Sequence, residues 1–468
     1  MENQKNAQGM MEFLHESTTA YHAVTAIKKR LIANRFCEVS EQQDLHTLVP
    51  GNYFITRQDT AIIAFTKPNN NNNKSDGLRI VGTHTDSPAL KLKANPDLKS
   101  TPYWQVGVEI YGGIILSSWF DRELSLAGKV SLLNQQGELQ SVLIDLKKSI
   151  AQIPSVAIHL QRDVNENRTI NKQKEMPPIL GLTASTAAGA AGAASSESSL
   201  LKVVKNHIEK HYQIAVEKIL GHDLFFYSNE KPALIGIEEE FLTASRLDNL
   251  ISCWVGVQAL IEHTQKQQDG IGSYPCVLAC YDHEEVGSSS AVGAEGNFLK
   301  SIIERVWGGG EESYKLLGKS LLISVDNAQA AHPNYLENYD PQHLPIINGG
   351  PAIKINAGQR YSTSAETTAL FTHWATKAKA RTQTFVSRSD KACGSTIGPI
   401  TTTLLGVAAI DVGIPSLAMH SIREFVGVRD VIDLKQILTI FFEEKDVRIS
   451  SPTISLDVAY NPSSSTTT

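Results

Sequence analysis

Tyr281-Asp282-His283-Glu284-Glu285-Val286-Gly287 decides how the rest of the chain is read. It follows an apolar run, Cys276-Val277-Leu278-Ala279-Cys280, and breaks into Gly287-Ser288-Ser289-Ser290. Neighbouring side chains in a strand point to opposite faces. Where the backbone turns at a strand end, two adjacent carboxylates can reach one place in different roles. One can hold a metal while the other moves a proton. An exposed acidic turn is the ordinary alternative, so what matters is whether the chain supplies partners.

Partners recur at equivalent places. Residues 78–82 predict a short strand that runs into Thr83-His84-Thr85-Asp86-Ser87-Pro88. Residues 321–325 end on Asp326, and 415–419 end on His420. Asp248 opens a helix expected over 247–263, with Leu250, Ile251, Trp254 and Val257 on its buried face. Polar groups just beyond strand ends are how open α/β sheets present catalytic side chains. Singly, each has a structural alternative: a turn histidine, a helix cap, a turn aspartate, a buried hydrogen-bonded ring. Together, His84, Asp248, Glu285, Asp326 and His420 suit zinc, with manganese or cobalt as substitutes. This set is too large for one open catalytic zinc and right for two, with one carboxylate bridging. Two such ions can hold a water and make it a nucleophile near neutral pH. Asp86 is placed to accept the other ring N–H of His84 and fix its tautomer. Glu284 stays free to take a proton.

The rest of the composition narrows the class. A chain of 468 residues predicts more than one domain. Net charge is -6 with no long basic run, which argues against nucleic acid as a partner. No apolar stretch reaches the roughly 18 residues of a membrane span. Residues 1–11 lack the apolar core of a signal peptide. Five scattered cysteines with no tight spacing predict a reducing, cytoplasmic compartment.

Residues 11–35 predict one helix, and 53–65 alternate like strands. Residues 69–73, an asparagine run, predict a loop. From about 90 to 235 the texture becomes that of a β meander, with strands expected at 106–109, 114–116, 129–133 and 141–146. Residues 180–200, rich in Ala, Ser, Gly and Thr, predict a mobile loop. Helices are expected again at 367–379, 396–407 and 434–444. The expected fold is therefore α/β. A mixed-sheet catalytic domain is made from 1–92 and 236–448, a mainly β domain is inserted at 93–235, and 449–468 form a loose tail.

The blocks Thr83–Pro88, Ser245-Arg246-Leu247-Asp248-Asn249, Asp282–Gly287 and Ala418-Met419-His420-Ser421-Ile422-Arg423-Glu424 resemble those of the aspartyl aminopeptidase family, dinuclear zinc exopeptidases. Trp104-Gln105-Val106-Gly107 and Ser118-Trp119-Phe120-Asp121-Arg122 extend the likeness into the insert, and block order is kept from about 11 to 444. The resemblance implies removal of N-terminal Asp or Glu from peptides, with two zinc ions per subunit. His84 and Asp326 would hold one ion, Glu285 and His420 the other, and Asp248 would bridge them. Glu284 would be the general acid/base and Asp86 its support. Lys354 and Tyr361 would face the substrate, with Lys354 selecting an acidic side chain by a charge-assisted hydrogen bond. His159 would reach into a neighbouring subunit's site, in a dodecamer assembled from dimers through the inserted domain. Gln329 departs from members that carry histidine there, which bears on how strict the acidic preference is. Broad specificity, action at the other end of a peptide, and a catalytically silent assembly protein are the alternatives.

Overall fold

The computed structural model describes residues 2–69, 77–98, 102–183, 199–267, 270–271 and 274–448. Most of the asparagine run, the centre of 180–200 and the whole of 449–468 lie outside these residues.

A nine-stranded mixed sheet forms the centre of the molecule. Its middle is four parallel strands in the order Cys276–Tyr281, Arg79–His84, Leu321–Val325 and Ala408–Gly413. A hairpin, Gly51–Arg57 and Ala61–Lys67, extends it antiparallel on one side, with Cys37–Glu38 at that edge. Ala352–Ile355 and Gln383–Val386 extend the other. The middle strands are apolar almost without interruption because helices cover both faces. On one face Val81, Leu278, Leu321, Ile323 and Val325 pack against the helices Glu2–Glu16, Ala20–Ala33, Leu247–Gln265, Ala365–Ala378 and Val428–Glu443. On the other, Ile80, Val277, Ala279 and Leu322 meet Phe298–Trp307 and Ile397–Leu405. Parallel strands present all their carboxyl ends on one edge of the sheet, and that edge carries the site.

A second sheet of six strands is antiparallel throughout, in the order Leu139–Asp145, Leu124–Asn134, Val216–Ser228, Ala89–Leu98, Tyr103–Tyr111 and Ile179–Leu182. The helix Leu200–Tyr212 lies on it, burying Leu200, Val204 and Ile208 at a spacing of one helical turn each. A third sheet of five short strands includes Pro415–Leu417, Glu424–Gly427 and Phe241–Ala244.

Several local expectations change. The helix expected over 11–35 is two, because Ser17 and Thr18 are buried in a break and Thr19 is extended, with φ -145. Arg246 fills that break, its Nε donating to the Ser17 carbonyl at 3.0 Å. Residues 114–116 are not a strand: they follow the Gly112–Gly113 turn into the short 3₁₀ helix Leu116–Trp119. Residues 415–417 join the third sheet. The strand of the central sheet that precedes them, Ala408–Gly413, begins after Gly406, whose φ of +67 ends the helix at Leu405. Leu182 and Leu200, expected in one loop, belong to a strand and a helix. The strand Ala89–Leu98 runs across the 92/93 boundary.

Candidate metal centre and active site

Three middle strands deliver side chains to one place. His84 is the last residue of Arg79–His84, Asp326 follows Leu321–Val325, and Glu284–Val286 is a 3₁₀ turn just after Cys276–Tyr281. His283 and Gly287, at φ +60 and +99, flank that turn and fold it back over the sheet edge. Asp248 comes from the start of Leu247–Gln265, which is anchored below Asp326 by Asn249 Nδ2 donating to the Val325 carbonyl at 2.8 Å. His420 arrives from the loop after Pro415–Leu417, itself at φ +65.

Asp248 lies between the two histidines. Its Oδ1 is 3.6 Å from His84 Nε2 and its Oδ2 is 3.3 Å from His420 Nε2. Each histidine has a further carboxylate of its own: Asp326 Oδ1 at 3.4 Å from His84 Nε2, and Glu285 Oε2 at 3.4 Å from His420 Nε2. Glu284 Oε2 stands 3.8 Å from His84 Nε2. Both rings are set to ligate through Nε2. His84 Nδ1 faces the Asp86 carbonyl oxygen at 3.1 Å and its Oδ1 at 3.3 Å, while His420 Nδ1 faces the Gly113 carbonyl at 3.1 Å. A ring whose Nδ1–H is bonded to an acceptor offers the Nε2 lone pair to a metal.

The donor set fits cations. Buried carboxylates this close repel one another and are costly unless something positive joins them. Asp248 Oδ1 and Glu285 Oε1 are buried and have no hydrogen-bond partner among the described residues. The titration of the groups carries the same signature. Burial and then Asp248 hold the Glu285 carboxyl well above its ordinary range, and burial and then Asp326 raise Asp248. Burial pulls His420 down, but Asp248 and Glu285 lift it to about 10. A bound metal would supply the charge that the histidines otherwise take up as protons.

A sequence model of the family described as aminopeptidase I zinc metalloprotease (M18) matches residues 13–442. The chain belongs to the M18 aminopeptidases. It is 43% identical over 440 residues to the probable M18 family aminopeptidase 2 of Ectopseudomonas mendocina (strain ymp), an alignment that covers 94% of this chain and 98% of the relative. Among solved structures it is similar to a chain of the Ape4 and Nbr1 complex, with TM-score 0.89, 35% identity, and 94% and 86% of the two chains covered. It also shares its fold with the mApe1 dodecamer of S. cerevisiae, at TM-score 0.81, 24% identity and 95% and 98% coverage. This M18 chain is thus a zinc metallo-aminopeptidase, a mixed α/β hydrolase, and among its described residues no helix is long and apolar enough to cross a membrane.

The M18 site is braced by residues behind the donors. The Asp86 carboxylate accepts the backbone N–H of Glu284 at 3.2 Å and of Glu285 at 3.1 Å, and the Tyr111 hydroxyl at 2.7 Å. It therefore fixes His84 and the acidic turn together. Glu424 was not singled out from the sequence. It is fully enclosed, and its two oxygens accept the N–H of Asp248 at 2.9 Å and of His420 at 2.7 Å. Tyr111 was missed as well. Neither carries a spacing signal; a glutamate four residues after a candidate ligand was the only hint.

Of the expected substrate contacts, Lys354 is buried, with Nζ 3.4 Å from Asp326 Oδ2 and 5.4 Å from the centre of the Tyr361 ring. The pair stands beside the cluster, and Lys354 pulls the Asp326 carboxyl below its ordinary range against the effect of burial. Tyr361 packs on Phe385. Gln329 is exposed on the short strand Ala328–Gln329. His159 does not join the cluster; it sits on an exposed turn beside Ile158 and Leu160, which are 46% and 83% exposed.

Proposed function

We propose that the protein removes N-terminal residues from peptides, with Asp or Glu preferred, using two zinc ions per subunit. The observation that carries this is the placement of Asp248, one oxygen toward each histidine, with Asp326 and Glu285 completing separate halves. His84 and Asp326 would hold one ion, Glu285 and His420 the other, and Asp248 would serve both. Bound zinc supplies Lewis-acid polarisation of the scissile carbonyl and of the attacking water. Glu284 accepts the water's proton and returns it to the leaving amine. Without a cation, burial, with Asp326, Asp248 and Asp86 outweighing the pull of His84, pushes its carboxyl up to about 7; a carboxylate left outside the donor set is free to take and give the proton. Asp86 holds Glu284 in place through the backbone.

Lys354 is the expected source of the acidic preference. A charge-assisted hydrogen bond contributes about 1.5–3 kcal/mol, or roughly 10–100-fold in selectivity. Its pairing with Asp326 favours a second reading, broader specificity, since a lysine already neutralised selects less strongly. Turnover of N-terminal Asp, Glu, Leu and Ala substrates separates the two, and equal rates across the panel would remove the acidic preference. Lys354→Ala should cost the acidic substrates more than the neutral ones.

The dodecameric relative and the exposed turn at His159 support a homo-oligomer in which His159 enters a partner's site. His159→Ala should leave the oligomer intact and lower turnover. Residues 93–235 are the proposed assembly module, and a cytoplasmic setting is the proposed location.

A further inference from the structure

Away from the zinc centre, a cavity of about 550 Å³ opens between the first two helices and the six-stranded sheet. Four histidines line it: His15 and His22 from the first two helices, and His207 and His211 from Leu200–Tyr212. The last two are one helical turn apart, on the same face of the helix. Their rings stand with centroids 4.5 Å apart and planes inclined by 36°. Leu200, Val204 and Ile208 fix that helix to the sheet, so the pair is held by a packed element. Asp145 lines the same cavity. Its Oδ1 accepts the Tyr227 hydroxyl at 2.6 Å and the Lys147 N–H at 3.0 Å, which anchors its negative charge there. His207 is held below its ordinary range by burial and then by His211, against the pull of Asp145.

We propose that His207 and His211 chelate a divalent transition-metal ion in this cavity, separate from the zinc centre. Two imidazoles on successive turns present two nitrogen donors to one ion, a donor type that suits zinc, nickel and copper. Among the described residues no third His, Cys, Asp or Glu closes on the pair, so the remaining coordination positions would be left to water, with Asp145 in the same cavity as compensating charge. The zinc centre shares no ligand with this pair.

The test uses zinc-loaded, full-length protein freed of loose metal and titrated with Ni²⁺ by calorimetry. One Ni²⁺ per chain should bind. His207→Ala and His211→Ala should each weaken that binding at least about tenfold, as loss of a metal's supporting groups does. Both variants should turn over peptide at the wild-type rate without nickel, and their melting temperatures report that they are folded. Nickel should raise the melting temperature of the wild type and not of the double variant. Wild-type protein that takes up no nickel, or histidine variants that bind it equally well, would overturn the site.

Discussion

The two halves of the proposed metal centre are built differently. The His84 half rests on the central sheet: His84 ends a strand, is 1% exposed, and its carbonyl accepts the Cys253 thiol at 3.0 Å. The His420 half hangs on a loop. His420 is 28% exposed, and it is held by Glu424, by the Gly113 carbonyl, and by Ile115 N–H donating to its own carbonyl at 2.9 Å. One half comes with the fold, whereas the other forms only when the loop, the third sheet and the turn at 111–113 close on one another. The loop-borne half should therefore be the weaker and more exchangeable position.

The largest expected effect falls on Glu284, the proposed proton carrier, which stands beside the His84 half. Glu284→Gln should keep its metal and lose about 10²–10⁴-fold in turnover; near-normal rates in a steady-state assay would take Glu284 out of the chemistry. Glu424→Gln aims at the asymmetry itself. It replaces an acceptor oxygen with an N–H₂ facing backbone donors, so metal affinity should fall about 10–100-fold, and metal content after dialysis should drop toward one zinc per chain. Loss of both ions in parallel would show that the halves are not independent. Asp86→Asn is the counterpart for the sheet-borne half and should lower turnover at saturating zinc, because it loosens Glu284 along with His84. Gly112→Ala should do least. Its φ is +72, and the added Cβ would meet Glu285 Cβ at 3.2 Å. Left-handed alanine costs about 1–2 kcal/mol, visible as a drop of roughly 2 °C or less in Tm and as easier zinc loss from the loop-borne half.

The same asymmetry governs what could be read in advance. Strand-borne donors were legible, because an apolar run ending on His84, Asp326 or Glu284–Glu285 is a local pattern. Asp248 was visible as the opening of a helix. The ion pairing came from family blocks, since no spacing encodes which side chains meet across the sheet. Glu424 stayed hidden because its importance lies in two backbone N–H groups 176 and 4 residues away. The helix Leu200–Tyr212 carries its one-turn apolar spacing, but it follows a small-residue run expected as a loop and lies in a block whose texture reads as a β meander. Pro415–Leu417 reads as a core strand from composition alone, and the pairings with Glu424–Gly427 and Ala328–Gln329 assign it elsewhere.

The turn at Tyr111-Gly112-Gly113 leaves a strand of the six-stranded sheet, yet Tyr111 touches Asp86, Gly112 lies against Glu285, and Gly113 bonds His420. A chain without the six-stranded sheet would keep His84, Asp248, Glu285, Asp326 and His420 and lack a wall of the chamber around them. Trimming the protein to its central sheet and helices should therefore fail even when all the donor side chains are kept, because a turn from another sheet completes the chamber around them.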